Sequence, residues 1–183
     1  MALQLGYYRY KGRFRATYES AQVRKFVAGR TEVVRSCSSE SAAWVLSMQD
    51  PQASPQEKIE KLRKAVTSHV AYMNQAVEGL GCDRLILGLK LIRQPNENHP
   101  FFDDKSLSES SHWYLSTSQI SSEFYDGYGW GQVCPDGFGL AYMVRIYLFF
   151  FFFTVISKTR RDRSTKRLST SILLTSSRGR RPR

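Results

Sequence analysis

The feature that most constrains the fold is one long amphipathic helix in the middle of the chain. Its predicted start is the capping box Ser54-Pro55-Gln56-Glu57, with proline at the first helical position. Gly79 and Gly81 predict where it ends. Between these limits, apolar side chains recur at steps of three and four residues and predict one buried stripe over about six turns. The members of this stripe are Ile59, Leu62, Val66, Val70, Met73 and Val77.

The apolar face of such a helix must pack against other helices or strands, and the flanking sequence predicts several of these. The predicted helices are a short one from Met1 to about Tyr8, a short one within residues 42–48, and a third that starts near Asp83 and stops before Pro95. Residues 14–36 predict paired strands on both sides of Gly29 or one strand with a turn. Further strands are predicted at 113–118 and at 138–143, with a glycine-rich loop over 126–139. This order predicts an α/β fold, a mixed sheet flanked by helices.

The charge of the chain is concentrated at one end. Residues 1–144 carry 16 lysines and arginines against 15 acids, whereas residues 145–183 carry 11 against one. Almost all of the formal net charge of +11 is therefore carried by the last 39 residues. The nearly neutral part gives no electrostatic reason to expect a nucleic-acid-binding domain.

The last part of the chain differs in composition from the rest. Five phenylalanines, Phe149–Phe153, lie in an apolar run of about 11 residues, and a membrane-spanning helix needs about 20. The following residues are rich in Lys, Arg, Ser and Thr without apolar periodicity, which predicts disorder. We predict a domain over residues 1–143 and a non-homologous tail over 144–183, such as a translated poly-T intron tract would encode. The alternative is a basic module that binds nucleic acid or lipid through this tail.

Two clusters of hydroxyl side chains lie on predicted strands, Thr17-Tyr18-Glu19-Ser20 and Ser116-Thr117-Ser118-Gln119. Buried hydroxyls need hydrogen-bond partners, so such clusters often line a polar pocket. Ordinary solvent-facing strands are the alternative interpretation.

No nucleophile motif, phosphate-binding loop or metal-site spacing is present in the sequence. The three histidines are far apart and have no Ser, Cys or metal ligand at a telling spacing. The three cysteines form no CxxC pair, which argues against a disulfide framework and fits a reducing compartment. We predict no metal site and no permanently bound cofactor.

Six segments, in a fixed order over about residues 1–143, resemble the choline/carnitine acyltransferase family. They are Met1-Ala-Leu-Gln-Leu-Gly-Tyr-Tyr, Ala16-Thr-Tyr-Glu-Ser-Ala, Gly29-Arg-Thr-Glu-Val-Val-Arg-Ser, Asp83-Arg-Leu-Ile-Leu-Gly-Leu-Lys, Leu115-Ser-Thr-Ser-Gln and Pro135-Asp-Gly-Phe-Gly-Leu-Ala-Tyr. The resemblance implies part of the C-terminal domain of a fold with two similar α/β domains and an active-site tunnel between them. It also implies an enzyme that transfers an acyl group between coenzyme A and the hydroxyl of carnitine.

The resemblance implies how carnitine is held. The family binds the carnitine carboxylate with a tyrosine, a threonine and an arginine, which match Tyr18, Thr31 and Arg84 here. An arginine suits this task because a paired guanidinium holds a carboxylate firmly in a desolvated site. Choline has no carboxylate, and choline-specific members lack this threonine and arginine, so carnitine is the implied substrate.

The same resemblance assigns residues near the reacting atoms and the co-substrate. Ser118 matches the serine that stabilises the tetrahedral oxyanion, and Ser116 matches one near carnitine. Ser20 and Gln119 match contacts to coenzyme A, which is a co-substrate rather than a resident cofactor.

The acyl group is implied by the residues after the Ser-Thr-Ser motif. Tyr128 matches a residue that closes the acyl pocket in short-chain members, whereas long-chain members have glycine there. Trp130 is predicted to line the same region. With the surrounding Asp126-Gly-Tyr-Gly-Trp-Gly, these residues imply the branch of the family that transfers acetyl or another short acyl group.

Two parts of the family pattern have no counterpart here. In the family, the catalytic histidine and a lysine-rich loop that binds coenzyme A both precede the segment that matches Met1-Ala-Leu-Gln-Leu. We therefore expect the chain to be inactive alone and its partner to be the missing N-terminal half.

The resemblance implies a mitochondrial or peroxisomal location. Residues 1–18 contain four basic side chains and no acid, which imitates a mitochondrial transit peptide. We favour the alternative, a short helix that leads into a strand.

Overall fold

The computed structural model describes residues 1–120, 122, 124, 128–145 and 148–154. They divide into two units between Leu115 and Ser116. The first unit contains α1 Ala2–Lys11, β1 Thr17–Gln22, β2 Thr31–Val34, α2 Ser39–Ser47, α3 Pro55–Val77, α4 Asp83–Ile92, α5 Pro100–Asp103 and α6 Lys105–Ser110. The second contains β3 Leu115–Gln119, which starts at the last residue of the first, followed by β4 Phe138–Arg145 and β5 Leu148–Thr154.

The α/β class predicted from the sequence is confirmed, and most elements lie where the pattern places them. The first helix is longer than expected, because it continues past Tyr8 to Lys11 and ends at Gly12 in the left-handed conformation. Helices α5 and α6 were not predicted, because four and six residues are too few to show a helical period.

Strands β1 and β2 form an antiparallel hairpin whose register assigns each side chain to a face. Directly opposite pairs are Ser20 with Val33 and Gln22 with Thr31. Opposite residues share a face and neighbours along a strand alternate. One face therefore carries Tyr18, Ser20 and Thr31, and the other carries Ala21 and Val34.

Helix α3 begins and ends as its sequence predicts. The hydroxyl of Ser54 accepts a hydrogen bond from the backbone N–H of Glu57 at 3.1 Å. At the other end, Gly79 has φ +76° and donates to the carbonyl of Ala76, while Leu80 donates to that of Gln75. These two bonds form a Schellman motif, which requires a left-handed residue and therefore favours glycine.

The predicted buried stripe of α3 is wrong for four of its six members, whereas Leu62 and Val77 are half-buried and pack against the two buried clusters. Ile59, Val66 and Val70 are 49%, 42% and 42% exposed, whereas the two buried side chains of the helix are Ala65 and Ala76. Ala65 packs against Trp44 and Val45 of α2, and Ala76 packs against the hairpin at Ala21 and Val34. Both neighbours approach closely, and the small side chains on this face leave room for them.

In the second unit, β4 and β5 pair antiparallel, and β5 contains the five phenylalanines. Residues 155–183, for which the sequence predicts a disordered basic tail, lie outside the described residues. The predicted boundary at residue 143 stays a prediction. In the part of the chain that the structure describes, no helix combines the length and the apolar content needed to cross a membrane.

We predict that enlarging the buried face of α3 destabilises the first unit. Ala76→Leu should lower the free energy of unfolding by about 1–3 kcal/mol, because the added atoms must enter a filled core. Ala71→Leu, on the exposed side of the same helix, should change it by less than about 0.5 kcal/mol. Urea unfolding followed by circular dichroism measures both, and equal effects would contradict the assignment of the buried face.

We predict that His69 makes stability depend on pH. Burial lowers the pKa of His69 from 6.5, although the charge of Glu19 acts in the opposite direction. As pH falls through about 6.5 the unfolded chain binds this proton first, so the stability present above that pH is progressively lost. The drop in unfolding free energy between pH 7.5 and 5.5 should be smaller in His69→Gln. The exposed His99→Gln serves as control and should show the wild-type drop.

Candidate functional site

Three of the predicted ligand-binding residues share one face of the β1–β2 hairpin. Tyr18 and Ser20 alternate along β1, and Thr31 lies opposite Gln22 at the start of β2. All three side chains are partly exposed. The strand period places Tyr18 and Ser20 on one side of β1, and the hairpin register adds Thr31 to the same face.

Arg84 reaches this face from the first turn of α4. Its Nε–H donates to the backbone carbonyl of Thr31 at 2.8 Å, and its Nη2 donates to the Thr31 hydroxyl at 3.3 Å. The structure thus joins two of the three residues predicted to bind a carboxylate. The guanidinium is solvent-exposed and has five N–H groups, so N–H donors remain for an anionic ligand.

A second arginine on the same face holds the start of α4. Arg35 forms a fork with Asp83, with Nε to Oδ2 at 3.0 Å and Nη2 to Oδ1 at 2.7 Å. Its Nη1 donates to the carbonyl of Ser110 at 3.0 Å. Burial by itself would lower the pKa of Arg35, but the hydrogen bonds and charge of Asp83 outweigh it and raise the pKa.

The ring of Trp113 lies between this fork and Tyr18. The Arg35 guanidinium is 4.7 Å from the centroid of the Trp113 ring, a cation–π distance. The Tyr18 and Trp113 ring centroids are 5.7 Å apart with planes tilted by 41°. Sequence reasoning missed Arg35, Asp83 and Trp113 as parts of the site. The strand period was the available signal for Arg35, which lies four residues after Thr31.

A close backbone approach also fixes the segment before α4. A Cβ on Gly81 would lie 2.5 Å from Cγ of Glu32. Glu32 is buried, and its Oε1 accepts a hydrogen bond from the backbone N–H of Val33 at 2.7 Å. Gly81 is therefore needed for packing against β2, in addition to its predicted role of ending α3.

The second unit brings together three of the predicted residues. Ser116 is fully buried, and its hydroxyl donates to the carbonyl of Phe138 at 3.1 Å. The phenol of Tyr128 donates to the carbonyl of Ser118. The residue predicted to close the acyl pocket therefore lies beside the residue predicted to stabilise the oxyanion.

The remaining predicted residues of this unit differ in exposure. Gln119 ends β3 and is exposed, whereas Trp130 is partly buried. The indole nitrogen of Trp130 is buried and has no hydrogen-bond partner in the described part of the chain. Residues 126 and 127, which belong to the glycine-rich pattern around Tyr128, lie outside the described residues.

Comparison with known proteins identifies the class to which these residues belong. The family model for Choline/Carnitine o-acyltransferase matches residues 1–173. The mitochondrial carnitine O-acetyltransferase of Saccharomyces cerevisiae is 43% identical over 144 residues, which are 78% of this chain and 22% of that protein. The human carnitine O-acetyltransferase is also 43% identical over 144 residues, 78% of this chain and 23% of that protein. The mouse peroxisomal carnitine O-octanoyltransferase is 41% identical over 154 residues, 79% of this chain and 24% of that protein.

The chain belongs to the choline/carnitine O-acyltransferase family, because the family model covers well over half of it. It spans between a fifth and a quarter of the length of these curated relatives.

We predict that two glycines next to and within α4 respond to alanine with opposite signs. Gly81→Ala should lower the free energy of unfolding by about 1–3 kcal/mol, because the new Cβ must displace the buried side chain of Glu32. Gly88→Ala should raise it by about 0.5–1 kcal/mol, because nothing lies within 4 Å and alanine favours a helix. Chemical unfolding of both variants tests this, and effects of the same sign would contradict the close approach at Gly81.

Proposed function

We propose that the chain forms part of an enzyme that transfers a short acyl group, such as acetyl, between coenzyme A and carnitine. The observation that carries this proposal is the pairing of Arg84 with Thr31 on the hairpin face that also carries Tyr18. The relatives support it, since their names describe carnitine O-acetyltransferases and O-octanoyltransferases.

The carnitine carboxylate would be bound by three side chains of the first unit. Arg84 supplies charge-assisted N–H donors that Thr31 holds in place, and such bonds are about twice as strong as neutral ones. The Thr31 hydroxyl accepts from Arg84, so its own hydrogen can be donated to the carboxylate. The Tyr18 phenol is the third donor. Choline would leave these donors without an acceptor, which favours carnitine over choline.

The reacting atoms would lie near the Ser-Thr-Ser segment of β3. We assign Ser118 to stabilisation of the oxyanion that forms when the carnitine alkoxide attacks the thioester, and Ser116 to the neighbourhood of carnitine. Ser20 and Gln119 are assigned to coenzyme A, which acts as co-substrate. The general base of the family, a histidine, has no counterpart in these 183 residues.

The acyl pocket would be closed by Tyr128 and lined by Trp130. Similar identities to acetyl- and octanoyl-transferring relatives do not separate the two substrate classes. The bulk of Tyr128 beside Ser118 supports a short acyl group, because a large ring leaves little room for a chain.

We further propose that residues 1–143 are part of the C-terminal domain and that residues 144–183 are not homologous to it. The length of the first segment is supported by the two acetyltransferase relatives, whose matches cover 144 residues of this chain. The match to the family model is longer and extends to residue 173. An N-terminal half of such an enzyme would be the partner, and the location would be mitochondrial or peroxisomal, as in the names of two relatives.

We predict that the purified chain binds carnitine but does not acylate it. Acetylcarnitine formation from acetyl-CoA, measured by mass spectrometry, should stay at the level of the blank, since loss of a general base alone costs about 10²–10⁴-fold. Carnitine titrated into the chain and followed by NMR should bind, and choline should bind more weakly. Turnover at a rate typical of enzymes would refute the expected inactivity.

The same titration separates the proposed site from unspecific binding. Arg84→Ala should weaken carnitine about 10- to 100-fold, because each hydrogen bond to a charged group contributes about 1.5–3 kcal/mol. Lys90→Ala is the matched control, an exposed cation on the same helix, and should bind as the wild type does. Equal binding by wild type and Arg84→Ala would contradict the assignment of the carboxylate site.

A further inference from the structure

We propose that Arg35 is a positioning residue that holds Arg84 in the carboxylate site, through Asp83 and with Trp113 as its support. The inference rests on the proposed function only for the identity of the ligand. The geometry itself lies within the first unit and stands without it.

Helix α4 has little else to hold it. None of its ten residues is classed as buried, and the side chain of its first residue, Asp83, is covered by a polar contact rather than by an apolar core. Cys82 at its N-cap makes no side-chain capping bond. Most helices in proteins are held by burial of an apolar face. The location of Arg84 therefore depends on the contacts made at the start of the helix.

The contact with Arg35 is the strongest of these. Asp83 is the first residue of α4, and its side chain is 9% exposed. Both of its carboxylate oxygens accept from the Arg35 guanidinium, at 3.0 and 2.7 Å. A two-point contact restricts rotation as well as distance. Arg84 follows Asp83 directly, so the fork fixes the backbone from which the Arg84 side chain extends.

Arg35 is itself fixed from two further directions. Its third nitrogen donates to the carbonyl of Ser110, and the Trp113 ring covers its guanidinium at 4.7 Å. The same ring contacts Tyr18. One indole therefore supports the group that positions Arg84 and also packs against another proposed carboxylate ligand.

The variant Arg35→Lys tests whether the two-point geometry of the Arg35 side chain, rather than its charge, positions Arg84. Arg35→Lys keeps the positive charge but cannot form the two-point contact with Asp83. The direct readout is the Arg84 Nε–H signal in a ¹H–¹⁵N spectrum, assigned by its loss in Arg84→Lys. In the wild type this N–H is bonded to the Thr31 carbonyl and should exchange slowly with water. In Arg35→Lys we expect exchange about tenfold faster or more, with amide signals of α2 and α3 unchanged.

Arg93→Lys is the matched control. Arg93 follows the opposite end of α4, pairs with Asp103 at 3.8 Å and lies over the Phe102 ring at 5.8 Å. It offers the same type of interaction without contacting the start of the helix. Its substitution should leave the exchange of Arg84 Nε–H unchanged.

Asp83→Asn is the second variant, in case Arg35→Lys does not fold. It keeps the shape of the side chain and removes the charge-assisted fork, so it should accelerate the same exchange. Slow Arg84 exchange in a folded Arg35→Lys or Asp83→Asn chain overturns the proposal. A purely stabilising Arg35 would lower the unfolding midpoint without moving this signal.

Carnitine titration distinguishes this inference from the proposed function. If both hold, Arg35→Lys should weaken carnitine binding about tenfold. If the wild type binds no carnitine but Arg35→Lys still accelerates the exchange of Arg84 Nε–H, the positioning role stands and the proposed ligand is wrong.

Discussion

The structure of the first unit depends on the close approach of helix α3 to two neighbours. Ala65 permits the contact with α2, and Ala76 permits the contact with the β1–β2 hairpin. A larger side chain at either position would separate the layers and open gaps that dense protein interiors avoid. Because α3 leads through Gly79 and Gly81 into α4, its position also determines where α4 begins.

At the start of α4, three contacts with neighbouring residues determine where the side chain of Arg84 lies. Glu32 lies against Gly81, Arg35 holds Asp83, and Arg84 bonds to Thr31. Each of these contacts joins β2, or Arg35 directly after it, to the segment around the helix start. A helix with no residue in the apolar core is thus attached to the hairpin by polar contacts and one close approach. These contacts place the Arg84 guanidinium beside β2 and leave its solvent-exposed N–H groups available to a ligand.

Much of the local structure was predictable from the sequence, whereas the packing was not. The capping serine at position 54 and the terminating glycine at position 79 were found because caps act within a few residues. Ile59, Val66, Val70 and Met73 were assigned to the core wrongly, whereas Leu62 and Val77 of the same stripe do pack against it. A helical period indicates which residues share a face, but which face is covered depends on what packs there. Two alanines are too weakly apolar to indicate a buried face by themselves.

The sequence by itself determined the class of fold, the family and the order of the motifs, because these follow from periodicities and short motifs of neighbouring residues. Strand alternation indicates a shared face for Tyr18 and Ser20, whereas the hairpin register places Thr31 with them. Only the tertiary structure decided that Arg84 bonds to Thr31, that Arg35 holds the residue beside it, and that Trp113 supports both. These contacts join residues 48 to 95 positions apart, and their geometry depends on how α3 packs, which no local pattern encodes.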